Sequence, residues 1–290
     1  MRTAHGTRST RARLAIGALT LGTLLLVPLS GQAHAAGGSV VLRTHYVVGQ
    51  HYSHVETQST TTKVVAHAKD AKGKAVTSTQ TSVEVDVTPS TTTVTKVLAD
   101  GSAVMKVTYG TCTVTTNGKV VKSAMTGFYE EKTVSNTLHM ISAKYIGGKG
   151  IPAAILSNVT SDDSTKVTSG SEGYPSTPVK VGSSWSAVAT IPPFTSVTLR
   201  TALLGFGTHS GRATVTVRQT INQPVTFSGQ GLTYKGKLAT SQTQTAYVDD
   251  GAEAQPTNNA LSFIGTFRDG TGSTTGTVSI SGTDRTAPSA

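Results

Sequence analysis

Ser82-Val83-Glu84-Val85-Asp86-Val87 alternates one polar residue with one valine across six positions. Successive side chains of a strand point to opposite faces, so the three valines share one side and Ser82, Glu84 and Asp86 the other. A half-buried antiparallel sheet needs this pattern, with one side on a core and one toward water. The valine side is the expected inner one. Ala213 to Val217 and Thr275 to Ile280 repeat the alternation. Threonine takes many of the alternate places, and β-branched residues fit a pleated strand.

Working outward, turn signals separate these runs. Asn117-Gly118 is the strongest, because a type I′ turn needs positive φ at both central residues. Asp100-Gly101 sits between Val94–Leu98 and Ala103–Tyr109 in the same way. Ala71 to Lys74, Ser135-Asn136, Gly229 to Gly231 and Asp249 to Gly251 are weaker signals. Gly270 to Gly276 is glycine-rich but lacks dinucleotide-binding spacing, and reads as a hairpin loop. Two stretches are candidates for helix. Pro152 to Val159 has its proline near the start, where a missing donor does no harm. Ser196 to Phe206 reads as a short helix or a loop packed on the sheet. The expected fold is mainly β: an antiparallel meander forming a curved sheet or partly open barrel, with at most one or two short helices.

The first residues give an address. Arg2, Arg8, Arg11 and Arg13 precede an apolar run from Leu14 to Leu29, and Ala33-His34-Ala35 closes the segment with small residues. That order describes a secretory signal peptide spanning 1–35, and Gly17, Gly22 and Pro28 make the run a poor membrane span. The expected mature chain is exported, either free or retained on the cell wall. Its four leader arginines leave 21 basic against 15 acidic residues, a net +6. No later apolar segment reads as a membrane span. The basic residues are scattered, and no concentrated basic face with aromatic platforms points to nucleic acid.

Val48-Gly49-Gln50-His51-Tyr52-Ser53-His54-Val55 echoes Val181-Gly182-Ser183-Ser184-Trp185-Ser186-Ala187-Val188, with an aromatic residue at the same fifth place. The echo suggests two β-meander halves, 36–173 and 174–283, within two domains or one continuous one. The boundary would fall in the loop-like stretch Asp162 to Thr177. Residues 284–290 are polar and proline-bearing and read as a flexible tail.

Chemical motifs are sparse. Nucleophile-elbow, zinc-helix and phosphate-loop patterns are absent. His45, His51 and His54 form one histidine cluster, but on a strand 45 and 51 face away from 54, so surface histidines are expected rather than a metal site. Glu130-Glu131, Asp162-Asp163 and Asp249-Asp250 are adjacent pairs, and adjacency on a strand splits them between faces. Cys112 is the single cysteine, so no internal disulfide forms. It lies in a run, Val107 to Thr115, that reads as one strand and buries the thiol. No catalytic, cofactor-binding or metal residue is assigned, and no cofactor is expected. The expected reading is a non-enzymatic protein, the alternative being a hydrolase whose two carboxylates come from separate loops.

Tyr174-Pro175-Ser176-Thr177-Pro178-Val179-Lys180-Val181-Gly182-Ser183-Ser184-Trp185 resembles the mid-chain P-x-x-P-V-x-V-G-x-x-W motif of a family of bacterial secreted proteins and lipoproteins of unknown function. Val48-Gly49-Gln50-His51-Tyr52 and Asp100-Gly101-Ser102-Ala103 are similar to other segments of that family. The chain departs from the lipoprotein members by lacking an acylated cysteine. The resemblance implies a curved sheet akin to the half-barrel of lipoprotein carriers, which shelter acyl chains on a concave face. From this follow two expectations. One is shelter of a hydrophobic or amphiphilic, lipid-like ligand, with Trp185 as a ligand-contact candidate. The other is a structural or adhesive envelope module contacting cell-wall polymers.

Overall fold

The computed structural model describes residues 39–69, 73–161, 174–189, 196–229, 231–247 and 254–288. The expected leader at 1–35, Asp162-Asp163 and Asp249 to Gly251 lie outside them. Within the described residues the chain forms β1 (His51–Lys69), β2 (Ala75–Val97), β3 (Ala103–Tyr109), β4 (Thr111–Thr116), β5 (Lys119–Ala124), β6 (Tyr129–Val134), β7 (Met140–Ile146), α1 (Ala153–Ser161), β8 (Ser184–Ala189), β9 (Val197–His209), β10 (Arg212–Gly229), β11 (Leu232–Tyr247), β12 (Thr257–Asp269) and β13 (Thr275–Pro288). All strand pairs are antiparallel. The sheet order is β7-β6-β3-β2-β1-β13-β12-β11-β10-β9-β8, with β4 and β5 branching from β2, and the sheet is not closed into a barrel. It runs unbroken across position 174, because β1 pairs with β13.

The sheet curves far enough to cover its own inner face. One apolar cluster joins Val64 of β1 to Val197, Ile221, Leu238, Phe263 and Ile280. A second joins Val94, Met105 and Val134 on β2, β3 and β6 to Leu203, Val215 and Val217 on β9 and β10. Those strands stand far apart in the sheet order, so their contact is made across the curve. A third cluster lies under α1, where Ile155 and Val159 meet Cys112, Val114 and Phe128. Helix α1 starts where Pro152 allows, with Pro152 O accepting from the Ile155 and Leu156 N–H groups at 3.0 Å.

The hairpin signals at Asn117-Gly118, Asp100-Gly101 and Gly270 to Gly276 are realised. Asn117 and Gly118 have φ of 49° and 81°. Asn117 also clamps the neighbouring strand, accepting from Val83 N–H on its side-chain oxygen and donating its own N–H to Val83 O, both at 2.8 Å. Asp100 accepts from Ser102 N–H at 2.9 Å beside Gly101, whose φ is 81°. The loop after Asp269 is a hairpin loop held by that residue's carboxylate. It accepts from Ser273 N–H and Thr274 N–H at 2.9 and 3.0 Å, and from the Ser273 hydroxyl at 2.7 Å.

The repeated octapeptide makes one turn twice. Gly49 and Gly182 both have φ of 86°. Each donates its N–H across the sheet, to Val94 O and Leu203 O, at 2.9 Å. Val94 and Leu203 return N–H bonds to Gln50 O and Ser183 O, again at 2.9 Å. The side chains of Gln50 and Ser183 accept from Val47 N–H and Lys180 N–H. Tyr52 and Trp185 then pack on the same second cluster.

Four expectations are corrected. First, the valines of Ser82–Val87 face outward. Val83 is exposed and Val85 and Val87 half-buried, while Asp86 is buried. Val94, eight residues after Asp86 on an unbulged stretch, enters the second cluster and so commits the even positions inward. Second, Ser196 to Phe206 is neither helix nor loop over its length, because Val197 onward is β9. Val197, Leu199, Thr201 and Leu203 are buried in turn, a period of two. Third, Val107 to Thr115 is two strands. Pro89 on β2 has no N–H to give, and the partner breaks there at Gly110, which donates to Pro89 O at 2.9 Å. Fourth, residues 284–288 are no tail. They pair with β1 throughout and, over 284–286, with β12 as well, and Asp284 and Thr286 are buried between the two.

Candidate functional site

A row of polar side chains crosses the inner face in register. Asp86, Gln58, Asp284, Asn259, Gln242, Gln219 and Thr201 stand directly opposite one another on β2, β1, β13, β12, β11, β10 and β9. All seven are buried. Buried polar groups normally find hydrogen-bond partners, and those that do not are costly. Here Gln219 Oε1, Gln242 Nε2, Asn259 Oδ1 and the nearby Thr60 Oγ1 have none. The row was not singled out in the sequence. Its signal was there: Gln219 is in phase with Ile221, Gln242 with Leu238, Asn259 with Phe263 and Asp284 with Ile280.

His54 lies beside this row. Its Nε2 is hydrogen-bonded to Ser90 Oγ at 2.8 Å, directly across from it on β2. Burial, and then the charge of Lys132, push its pKa down to about 4. An imidazole held so far below neutrality is a weak base toward the serine. The Ser90–His54 contact is therefore a cross-strand pair that stays neutral in the interior. Lys132 Nζ is 3.9 Å from Glu130, both side chains being almost fully enclosed. Glu131, the next residue, faces out to Lys144 at 2.7 Å, so that acidic pair is split between faces. His45 and His51 are exposed, and His54 is buried on the other side of β1. No group of three or more His, Cys, Asp or Glu side chains among the described residues is placed to hold a metal ion.

Trp185 is half-buried on the second cluster, its ring 6.0 Å from that of Tyr174. The motif around it is explained by packing: Val179 bridges to Val40, and Tyr174 N–H donates to Thr137 O at 2.7 Å. Cys112 is buried, and desolvation pushes its thiol up to about 11, which leaves it unreactive at neutral pH.

Over β1 and β9–β13 the outer face carries charge of one sign. Lys63, Arg200, Arg218, Lys235, Lys237, Arg268 and Arg285 all point outward from β1 and β9–β13. The acids of these strands, Glu56 and Asp284, sit at inward-facing positions, and Asp269 is tied into its turn. The basic residues that look scattered in the sequence are thus gathered by strand alternation. Lys63, Ser279, Ile264 and Lys237 form one outer row, and His67, Thr275, Arg268 and Thr233 another. Between Lys235, Arg268 and His67 lies an open depression of about 470 Å³, lined by threonines, Gly276 and the largely buried Phe267. The large aromatics of this region, Phe227, Tyr234, Phe263 and Phe267, are packed inside.

No family model matches the chain. No curated protein matches it. Among solved structures, a mutant porin of Rh. blastica is similar at 9% identity and a TM-score of 0.21, over 80% of this chain and all of that one. A likeness of that strength carries no argument. No helix among the described residues is long and apolar enough to cross a membrane, which says nothing of strands.

Proposed function

We propose that this chain is an exported, non-enzymatic binding module of the cell envelope whose outer sheet face holds an anionic wall polymer. One observation carries the reading: the Lys and Arg side chains of β1 and β9–β13 point outward with no acid among their outward neighbours. A one-signed surface attracts a polyanion through many weak, salt-screened contacts. The depression at His67, Lys235 and Arg268 offers threonine hydroxyls to the same anionic groups. A leader at 1–35 suits this location. Among the described residues the one aromatic lining the depression, Phe267, is packed inward, which favours a wall polymer over single-stranded nucleic acid.

The test is co-sedimentation of the mature protein with purified wall material rich in phosphate or carboxylate, across a salt series. Binding is expected to fall steeply with salt, and the double substitution Lys235→Glu, Arg268→Glu is expected to weaken it at least tenfold. Salt-independent binding, or binding unchanged in the double variant, would defeat the proposal.

A second reading rests on the inner face, where polar rows lie between two apolar clusters, a lining of amphiphilic character. Such a face suits an amphiphilic, lipid-like guest, as the family resemblance implies. Native mass spectrometry of protein from culture supernatant tests it: a lipid-mass adduct lost on denaturation supports shelter, and a bare mass after mild desalting argues against it.

A further inference from the structure

We propose that the chain pairs with a second copy of itself through the free edge of β2, the two strands running antiparallel about a two-fold axis at Thr79. β2 pairs with β1 from Ala75 to Thr93. On its other side β4 begins only at Glu84, and Asn117 closes Val83. Among the described residues no strand pairs with that side of Ala75–Ser82. Ala75 to Thr81 are all exposed, so both faces of this stretch are open as well as its edge. Val83 turns its N–H and C=O to Asn117, away from β1. Alternate residues of a strand turn these groups the same way, so Thr81, Thr79 and Thr77 present theirs to the free edge. Such a row is a template for another strand.

The other borders of the sheet carry the features that keep edges apart. β7 has Lys144, β5 has Lys119 and Lys122, β10 has Pro224 beyond its pairing with β9, and β8 is only 6 residues long. Ala75–Val83 has no charge, no proline and no bulge in its register with β1.

The occupant follows from the sequence of this edge. A two-fold contact sets a strand against its own reverse. Residues that face each other in an antiparallel ladder turn their bonding groups the same way, so the axis passes through a residue. At Thr81 the axis would set Thr79 against Val83, which Asn117 already holds, and at Thr77 it would set Thr81 against Gly73, outside the strand. At Thr79 it uses all three free threonines: Thr79 faces the partner's Thr79, and Thr77 faces the partner's Thr81. Opposed threonines pack their branched side chains and share hydroxyl bonds. Ser78 faces the partner's Gln80 and Val76 the partner's Ser82, so no like charges oppose.

The pairing also extends the basic outer face. On β1, His67 lies opposite Thr77 and Lys63 opposite Thr81. His67 Nδ1 is 3.0 Å from Thr77 Oγ1. In the dimer one outer row runs from His67 through Thr77 and the partner's Thr81 to the partner's Lys63. Three strand spacings, ~14 Å, separate its ends. That exceeds the screening length of about 8 Å in physiological salt, so the bases do not force the copies apart. A long polyanion then meets two linked faces in place of one.

Sedimentation velocity of the whole mature protein over a concentration series, with no polymer present, tests the proposal. The expected result is a monomer–dimer equilibrium. Thr79→Lys sets two like charges on the axis at an exposed position, and is expected to give a monomer with an unchanged melting temperature. Mixing it with Thr79→Glu is expected to restore the dimer. Thr79→Cys brings two Cα atoms to about 5.5 Å, within disulfide reach, and is expected to cross-link on mild oxidation. Ser78→Cys, displaced along the strand from its own copy, is expected to stay single. Cys112 is buried and adds no background. A wild type that stays monomeric up to millimolar concentration overturns the proposal. A dimer that survives Thr79→Lys, or that cross-links equally from position 78, overturns it by placing the contact elsewhere. Because this measurement contains no wall material, the dimer and the polymer reading can each fail alone.

Discussion

Phe263 and Ile264 are neighbours on β12 and opposites in environment: the first is 0% exposed and the second 66%. The same contrast runs along β1 and β9–β13. The inner face is buried, holds the large aromatics and the acidic positions, and tolerates little change of shape. The outer face is paved with threonine and carries bases over which water has free access. Stability therefore resides on one side of these strands and the capacity to meet a charged partner on the other. Substitutions at adjacent residues are expected to separate the two.

The largest effect should come from the pair itself. Phe263→Ala is expected to lower unfolding stability by about 3–5 kcal/mol in urea titration, through lost burial and the cavity left behind. Ile264→Ala should stay within about 0.5 kcal/mol. Similar losses at both positions would erase the distinction between faces.

Next is acid. The folded His54 titrates at about 4, below its ordinary 6.5, because burial and Lys132 disfavour its charged form. Between those values the unfolded chain binds a proton that the folded chain refuses. Stability from this group is undiminished above pH 6.5 and falls as pH drops toward 4, by about 3 kcal/mol in all. Subtracting the pH profile of His54→Gln from that of the wild type isolates the contribution, and a flat difference would contradict the neutral interior histidine.

Glycines sharpen the comparison further. A Cβ at Gly276 on the inner face would collide with Val65 O and the Phe267 ring, whereas one at Gly270 meets nothing within 4 Å. Gly276→Ala should cost about 1–3 kcal/mol by overpacking, and Gly270→Ala close to nothing by the same melting assay. The smallest effect belongs to the outer charges. Lys235→Glu with Arg268→Glu should move stability by less than about 0.5 kcal/mol, so any loss of polymer binding in that variant is a loss of contact and not of fold.

Local chemistry was legible in the sequence. Asn117-Gly118 and Asp100-Gly101 declare their turns because only a few residues accept positive φ or offer a carboxylate to the next N–H. Pro152 marks the start of α1 for an equally local reason. The octapeptide echo was legible too, since its hydrogen bonds repeat position by position. What failed were questions answered only by distant partners. Alternation at Ser82–Val87 gives two faces but not which is covered, and Val94 settles that from further along the strand. Ser196 to Phe206 has leucines at both helical and strand spacing, and β10 decides between them by offering a ladder. The polar end read as a flexible tail because the ladders that hold it, to β1 above all, join residues remote in sequence. The inner polar row escaped notice because each member is one residue on its own strand, and only the register assembles seven of them.

The pairing of β1 with β13 sets the order in which the molecule is completed. His54 and Pro288, opposite each other in that ladder, are separated by most of the chain. As the chain emerges from its amino end, β1 and β2 meet early, but the second side of β1 stays bare until the last strand arrives. Pairings so remote in sequence close slowly. A stop codon ahead of Thr275 would not trim this protein; it would remove a middle slat, leaving β1 and β12 as two raw borders primed to join other chains.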